Sequence, residues 1–157
     1  MAAGPTNTDK FGQPGGPGII LYDGVCVLCS GWFRFVAEQD KERRFYFTAI
    51  QSLYGRALAT RLGIDPENPA TNAVLLDGEV HLRSDSAIAA LSALPGWRLI
   101  GLLRMVPKPL RDAFYSFIAR NRYRLFGKHS ACDLGGQEYA DRIIENAEQA
   151  SRFFSKN

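Results

Sequence analysis

Cysteine is scarce in this chain of 157 residues. There are three, an odd number and too few for a small disulfide-built scaffold. Long apolar runs are missing as well: none approaches the ~18–20 residues that span a bilayer. The longest, Leu94 to Val106, is interrupted by Arg98 and Arg104. The opening stretch, MAAGPTNTDKFGQPGGPG, has no apolar segment that could serve as a signal-peptide core. Its glycines and prolines argue for a flexible tail over residues 1–17. The expected compartment is therefore the cytoplasm, where thiols are kept reduced. There is no internal repeat.

What the chain does have is 46% apolar and 22% charged residues, ordinary for one globular domain with a real core. The net charge of +3 is mild and does not by itself indicate nucleic acid. Its distribution is uneven. Between residues 98 and 128 the bases are Arg98, Arg104, Lys108, Arg111, Arg120, Arg122, Arg124 and Lys128, and the only acid is Asp112.

The ordered chain is expected from Gly18. The apolar run Gly18 to Tyr22 reads as a buried strand, broken by Asp23-Gly24. A helix follows from about Cys26 to Gln39, with Cys29, Phe33 and Val36 on one face. Alternation over Arg44 to Ala49 gives a second strand, and Gln51 to Leu62 a second helix closed by Gly63. Thr71 to Leu76 and Glu79 to Arg83 flank Asp77-Gly78, a pair suited to a type I′ hairpin turn. Ser84 or Asp85 can cap a helix to Leu94. Trp97 to Met105 reads as a short apolar helix. Pro107 to Phe126 reads as a longer one, with Leu110, Phe114, Phe117, Ile118 and Leu125 as its apolar stripe. A polar helix is expected from Gln137 to Phe154. The order implies an α/β fold, a mixed sheet with helices on its faces.

Cys26-x-x-Cys29 carries the chemistry. Residues three apart on a helix share a face at a separation a disulfide can bridge with modest adjustment. The first cysteine sits where free backbone N–H groups favour a thiolate, the nucleophilic form. Cys26 would attack a substrate disulfide and Cys29 would resolve the mixed disulfide. Asp23, three residues earlier, has two readings: a proton relay, or a carboxylate that hydrogen-bonds the N–H groups of its own turn.

A zinc reading competes with this. His129-x-x-Cys132 could complete a Cys3His site with Cys26 and Cys29, giving a non-catalytic interaction module. Without metal, Cys132 is a third redox thiol, a regulatory partner or an inert buried cysteine. The basic segment 98–128 could meet an acidic protein, phosphate or an anionic membrane surface. The favoured reading is plainer: a solvated basic face whose apolar stripe lies in the core. Nucleic acid is not expected, since no recognised binding motif accompanies the charge.

Tyr22-Asp23-Gly24-Val25-Cys26-Val27-Leu28-Cys29 resembles the signature of the DCC family of thiol-disulfide oxidoreductases, relatives of thioredoxin. Phe47 to Gly55, Ser84 to Ser86, Pro107 to Tyr115 and Asn121 to Lys128 resemble family segments too. The resemblance implies a thioredoxin-like domain over residues 18–134, with a helical extension from about 96, leaving 135–157 as a C-terminal helix or tail. It also implies Cys26 and Cys29 as the redox pair and Asp23 as the third signature residue; the thiol-exchange reading itself calls for no cofactor and for a dithiol or disulfide protein or a small thiol as partner. Thioredoxins carry a cis-proline facing the cysteine pair. Counting back from Gly78 puts that position at Ala70, so either Pro69, one residue away, takes the role or no residue does.

Overall fold

A computed structural model describes residues 14, 16–69, 71–128 and 137–155. Strands β1 (Gly18–Tyr22), β2 (Phe45–Ala49), β3 (Ala73–Leu76) and β4 (Glu79–Leu82) form one sheet in the order β2-β1-β3-β4. β1 pairs in parallel with β2 and antiparallel with β3, which pairs antiparallel with β4. A parallel pair needs a crossover, and α1 (Val27–Gln39) supplies it. The β3–β4 hairpin turns on Asp77 and Gly78, with φ of 51° and 83°, the positive values that the Asp-Gly pair was expected to adopt. Helices α2 (Leu53–Arg61), α3 (Ser84–Ser92), α4 (Lys108–Phe126) and α5 (Ala147–Ser155) complete the fold. This is the mixed sheet flanked by helices of a thioredoxin-like fold.

Alternation along β1 divides the core into two layers. Ile20 and Tyr22 face α1 and α3, and Ile19 and Leu21 face the side carrying α2. Phe33 of α1 anchors the first layer. Its ring stacks on Tyr22 at 4.8 Å and meets Phe47 edge-on at 4.7 Å, which fixes α1 directly behind the end of β1. α2 lies so close to β2 that a Cβ at Gly55 would sit 1.8 Å from the Ala49 carbonyl oxygen, so only glycine fits there.

Four sequence expectations need correction. Arg98–Met105 is a 3-10 helix with no buried residue, where a short apolar helix was expected. The single helix expected over Gln137 to Phe154 is divided. A 3-10 turn (Gln137–Arg142) and α5 are separated by residues 143–146, of which Ile143 and Ile144 run beside β2: Ile143 bridges Phe47, and the Ile144 N–H donates to the Phe47 carbonyl at 2.8 Å. Two adjacent branched residues favour extended backbone, and both are buried.

The third correction concerns α4. Apart from Ile118, its expected apolar stripe does not enter the core. Leu110, Phe114, Phe117 and Leu125 are 64%, 68%, 58% and 59% exposed. The adjoining side of the helix, with Arg111, Tyr115, Ile118 and Arg122, faces the protein. Arg111 bonds Asp85 at 2.8 Å, Tyr115 accepts from the Asn72 N–H at 3.1 Å, and Arg122 is buried. Periodicity found the stripe; buried polar partners decided which face turned inward. The same contacts explain why neither Ser84 nor Asp85 caps α3. Ser84 donates to Asp112, and Asp85 is held by Arg111 and Lys108, leaving Arg83 at the cap position with φ 53°.

Candidate redox site

β1 ends at Tyr22 and the chain turns through Asp23-Gly24-Val25 into α1. Cys26 is the N-cap residue of α1, with φ −83° and ψ 123°, and its Sγ accepts the backbone N–H of Cys29 at 3.3 Å. A sulfur here takes the place of the oxygen that usually satisfies a helix's free donors. The consequence is electrostatic. Cys29, through its side chain and its N–H, stabilises the Cys26 thiolate, and Arg122 adds its positive charge. Against burial and the nearby Asp23, these bring the Cys26 thiol down to about 7. Cys29 moves the other way: its hydrogen bond to Cys26, its burial and the Cys26 charge hold it protonated, well above the usual thiol range. One thiol is thus poised to ionise near neutrality and its neighbour is kept as the acid.

Asp23 is buried, and both of its carboxylate oxygens are engaged. Oδ1 accepts the Val25 N–H at 3.1 Å and the Gln51 side-chain amide at 2.8 Å. Oδ2 accepts Arg122 at 3.2 Å and the Tyr123 hydroxyl. Gln51 also accepts the Gly24 N–H at 2.9 Å, so one amide side chain clasps the turn from both sides. The turn-bonding expectation for Asp23 therefore holds for Oδ1, while Oδ2 anchors the buried Arg122. Arg122 also donates to the Pro69 carbonyl at 2.6 Å and lies over the Tyr123 ring at 4.9 Å. Burial and the bond to Asp23 push the Tyr123 phenol up. The Nε of Arg122, also buried, has no hydrogen-bond partner among the described residues.

Sequence reasoning did not identify Gln51, Arg122 or Tyr123 as site residues. A signal existed for Arg122: it borders the apolar stripe of α4 beside Ile118, in line with Arg111 and Tyr115. Pro69 is in the site through its carbonyl alone. Among the described residues there is no cis peptide bond, so Pro69 does not take the thioredoxin cis-proline role, and Ala70 lies outside the described residues. His129 and Cys132 lie outside them as well. Among the described residues no cluster of three His, Cys, Asp or Glu could hold a metal ion.

Both thiols are buried, Cys26 completely. The chain after α4 lies against Cys26, which forms an antiparallel bridge with Lys128, while the Val27 N–H donates to the Gly127 carbonyl at 3.4 Å. A cleft of about 270 Å³ reaches Cys29, walled by Leu28, Trp32, Tyr115, Ile118 and Arg122.

Residues 20–128 match the family model for DCC1-like thiol-disulfide oxidoreductases. The chain belongs to the DCC1-like family. DCC relatives are found in a bacterium and a plant. The uncharacterized protein YuxK of Bacillus subtilis is 39% identical over 127 residues, covering 80% of this chain and 93% of that protein. The chloroplastic DCC family protein At1g52590 of Arabidopsis thaliana is 32% identical over 129 residues, covering 81% of this chain and 75% of its own length. No solved structure matches. The matched DCC region runs from β1 through the end of α4 and so includes Asp23, Cys26, Cys29, Arg122 and Tyr123.

Proposed function

We propose that this DCC protein is a thiol-disulfide oxidoreductase that exchanges two electrons through Cys26 and Cys29. The observation that supports this reading is the asymmetry of the pair: a thiolate-favouring Cys26 at the N-cap of α1 beside a protonated Cys29. In the reducing direction, the Cys26 thiolate attacks one sulfur of a substrate disulfide. The new S–S bond forms as the old one breaks, and the first substrate sulfur leaves as thiolate. Cys26 then carries no charge, so the main influence holding Cys29 protonated is gone. Cys29 passes its proton to the leaving thiolate and attacks Cys26 Sγ, which releases the second substrate sulfur. Substrate gains two electrons and the protein becomes a disulfide; the reverse sequence oxidises a dithiol.

In this reading Asp23 is a positioning residue. It holds Arg122 beside the thiols, where the guanidinium favours the Cys26 thiolate. No metal or organic cofactor takes part. The partner is a protein disulfide or a small disulfide, and the apolar walls of the cleft at Cys29 favour an apolar group next to the reacting sulfur. Because Cys26 is buried, an incoming disulfide reaches it only as the chain at Gly127–Lys128 draws aside. A reducing compartment such as the cytoplasm would keep the pair as the dithiol.

The test is a thiol titration against defined glutathione ratios, with bound zinc assayed on the same sample. A reversible two-electron transition is expected, lost in both Cys26→Ser and Cys29→Ser. Cys29→Ser should accumulate a mixed disulfide at Cys26. Stoichiometric zinc, with thiols unreactive until chelation, would replace this reading by a structural site that includes His129 and Cys132.

A further inference from the structure

Among the described residues, most of the exposed large apolar side chains lie on Arg98–Met105 and α4. A 3-10 helix has three residues per turn, so residues three apart eclipse one another. In Arg98–Met105 this aligns Leu99, Leu102 and Met105 into one ridge, 78%, 62% and 83% exposed. Arg98 and Arg104 form the ridge beside it. On α4 the exposed stripe of Leu110, Phe114, Phe117 and Leu125 is flanked by Arg120 and Arg124, which fall next to it at ~100° per residue. Between the two elements is a cleft of about 570 Å³ walled by Leu103, Val106, Leu110, Phe114 and Ile118.

The charge around this surface has one sign. Arg98, Arg104, Arg120 and Arg124 are exposed and none is in an ion pair with a described residue. The one acid of the segment, Asp112, is half-buried and held by Ser84 and Lys108 on the protein side. Contiguous exposed apolar residues rimmed by charge mark an interaction surface. Two copies of the chain meeting through this face would bring unpaired arginines together with no acid between them. An anionic bilayer offers both complements at once: acyl chains for the ridges and phosphates for the arginines.

We propose that the face made by Arg98–Met105 and α4 docks on an anionic phospholipid membrane. The ridges enter the boundary between headgroups and acyl chains, with α4 lying in the plane of the surface. The four arginines pair with lipid phosphates, and the cleft between the elements takes up an acyl chain. Among the described residues no helix is long and apolar enough to cross a membrane, so the association is peripheral. The docking does not depend on the thiol chemistry proposed above.

Flotation of the full chain decides this, with vesicles of phosphatidylcholine alone and of phosphatidylcholine mixed with phosphatidylglycerol. Flotation with the mixed vesicles only is expected, falling as salt rises. R120Q/R124Q should bind them about thirty-fold more weakly, from ~1 kcal/mol per basic residue at the surface. F114S/F117S should not float at all. Each replaced side chain is exposed, and unchanged circular dichroism confirms the fold. C26S/C29S should float like the native chain, which separates a failure here from a failure of the redox reading. Absence of flotation with the mixed vesicles overturns the proposal. So does a concentration-dependent dimer that F114S/F117S dissolves in a chain that never floats, which would assign the face to a second copy.

Discussion

Two buried aspartate–arginine pairs tie the second half of this chain to the first, and they are built alike. Asp23 with Arg122 and Asp40 with Arg142 have the same burial, 1% for each aspartate side chain and 6% for each arginine. Each aspartate closes an element of the β1-α1 unit, and each arginine arrives from about a hundred residues later. Their surroundings differ. Arg142 donates to the Ala37 carbonyl at 3.1 Å and twice to the Phe45 carbonyl, while Asp40 accepts the Arg44 and Phe45 N–H groups. That pair is enclosed by backbone and holds the C-terminal segment to the junction of α1 and β2. Arg122 instead borders a cleft, has no partner for its Nε among the described residues and adds its charge beside a thiol. Burial and pairing alone therefore do not separate a structural ion pair from one that tunes chemistry. What surrounds the pair does.

The comparison can be broken in a definite order. Arg142→Met should have the largest effect on stability. It strands the Asp40 charge with two backbone donors, a loss of roughly 3–5 kcal/mol in denaturant unfolding, with the Cys26 titration unmoved. Arg122→Met should cost less, because Asp23 keeps Gln51, Val25 and the Tyr123 hydroxyl as donors. Its distinguishing result is chemical. Removing the cation takes away a stabiliser of the thiolate, so the Cys26 titration, followed by thiolate ultraviolet absorbance, should move above about 7. Asp23→Asn should shift the same titration downward, since the carboxylate opposes ionisation of Cys26. Equal shifts of one sign in the two variants would show that neither acts through its charge. The smallest effect belongs to a pair that is not enclosed. Lys108 is 60% exposed where it meets Asp85, and Lys108→Ala should change stability by less than ~1 kcal/mol.

The features legible in the sequence are those set by near neighbours. Ile19 to Tyr22 read as a buried strand because four consecutive apolar residues leave little alternative. Asp77-Gly78 named its turn because few residues tolerate positive φ. Cys26 and Cys29 were placed at a helix start by the Asp23-Gly24 break before them. The misses share the opposite property. The apolar stripe of α4 was visible, but a period cannot say which face is inside. That was settled by Asp85, Asn72 and Asp23, contacts that close only in the folded chain. Arg122 read as one base among many because its partner is 99 residues away. Ile143-Ile144 was absorbed into a helix because the polar residues on either side outweighed two branched ones, and only pairing with Phe47 makes them extended.

That pairing bears on how the chain survives its own synthesis. β2 is the outermost strand of the sheet on its side, and Ile143–Ile144 lie along its free edge. An unpaired edge with Phe45 and Phe47 nearby is a template for aggregation. Until Ile143 and Ile144 have emerged from the ribosome, the nascent protein holds a sheet with that edge open. A chain cut just before Ile143 would keep its whole redox site and still be the form most prone to clump.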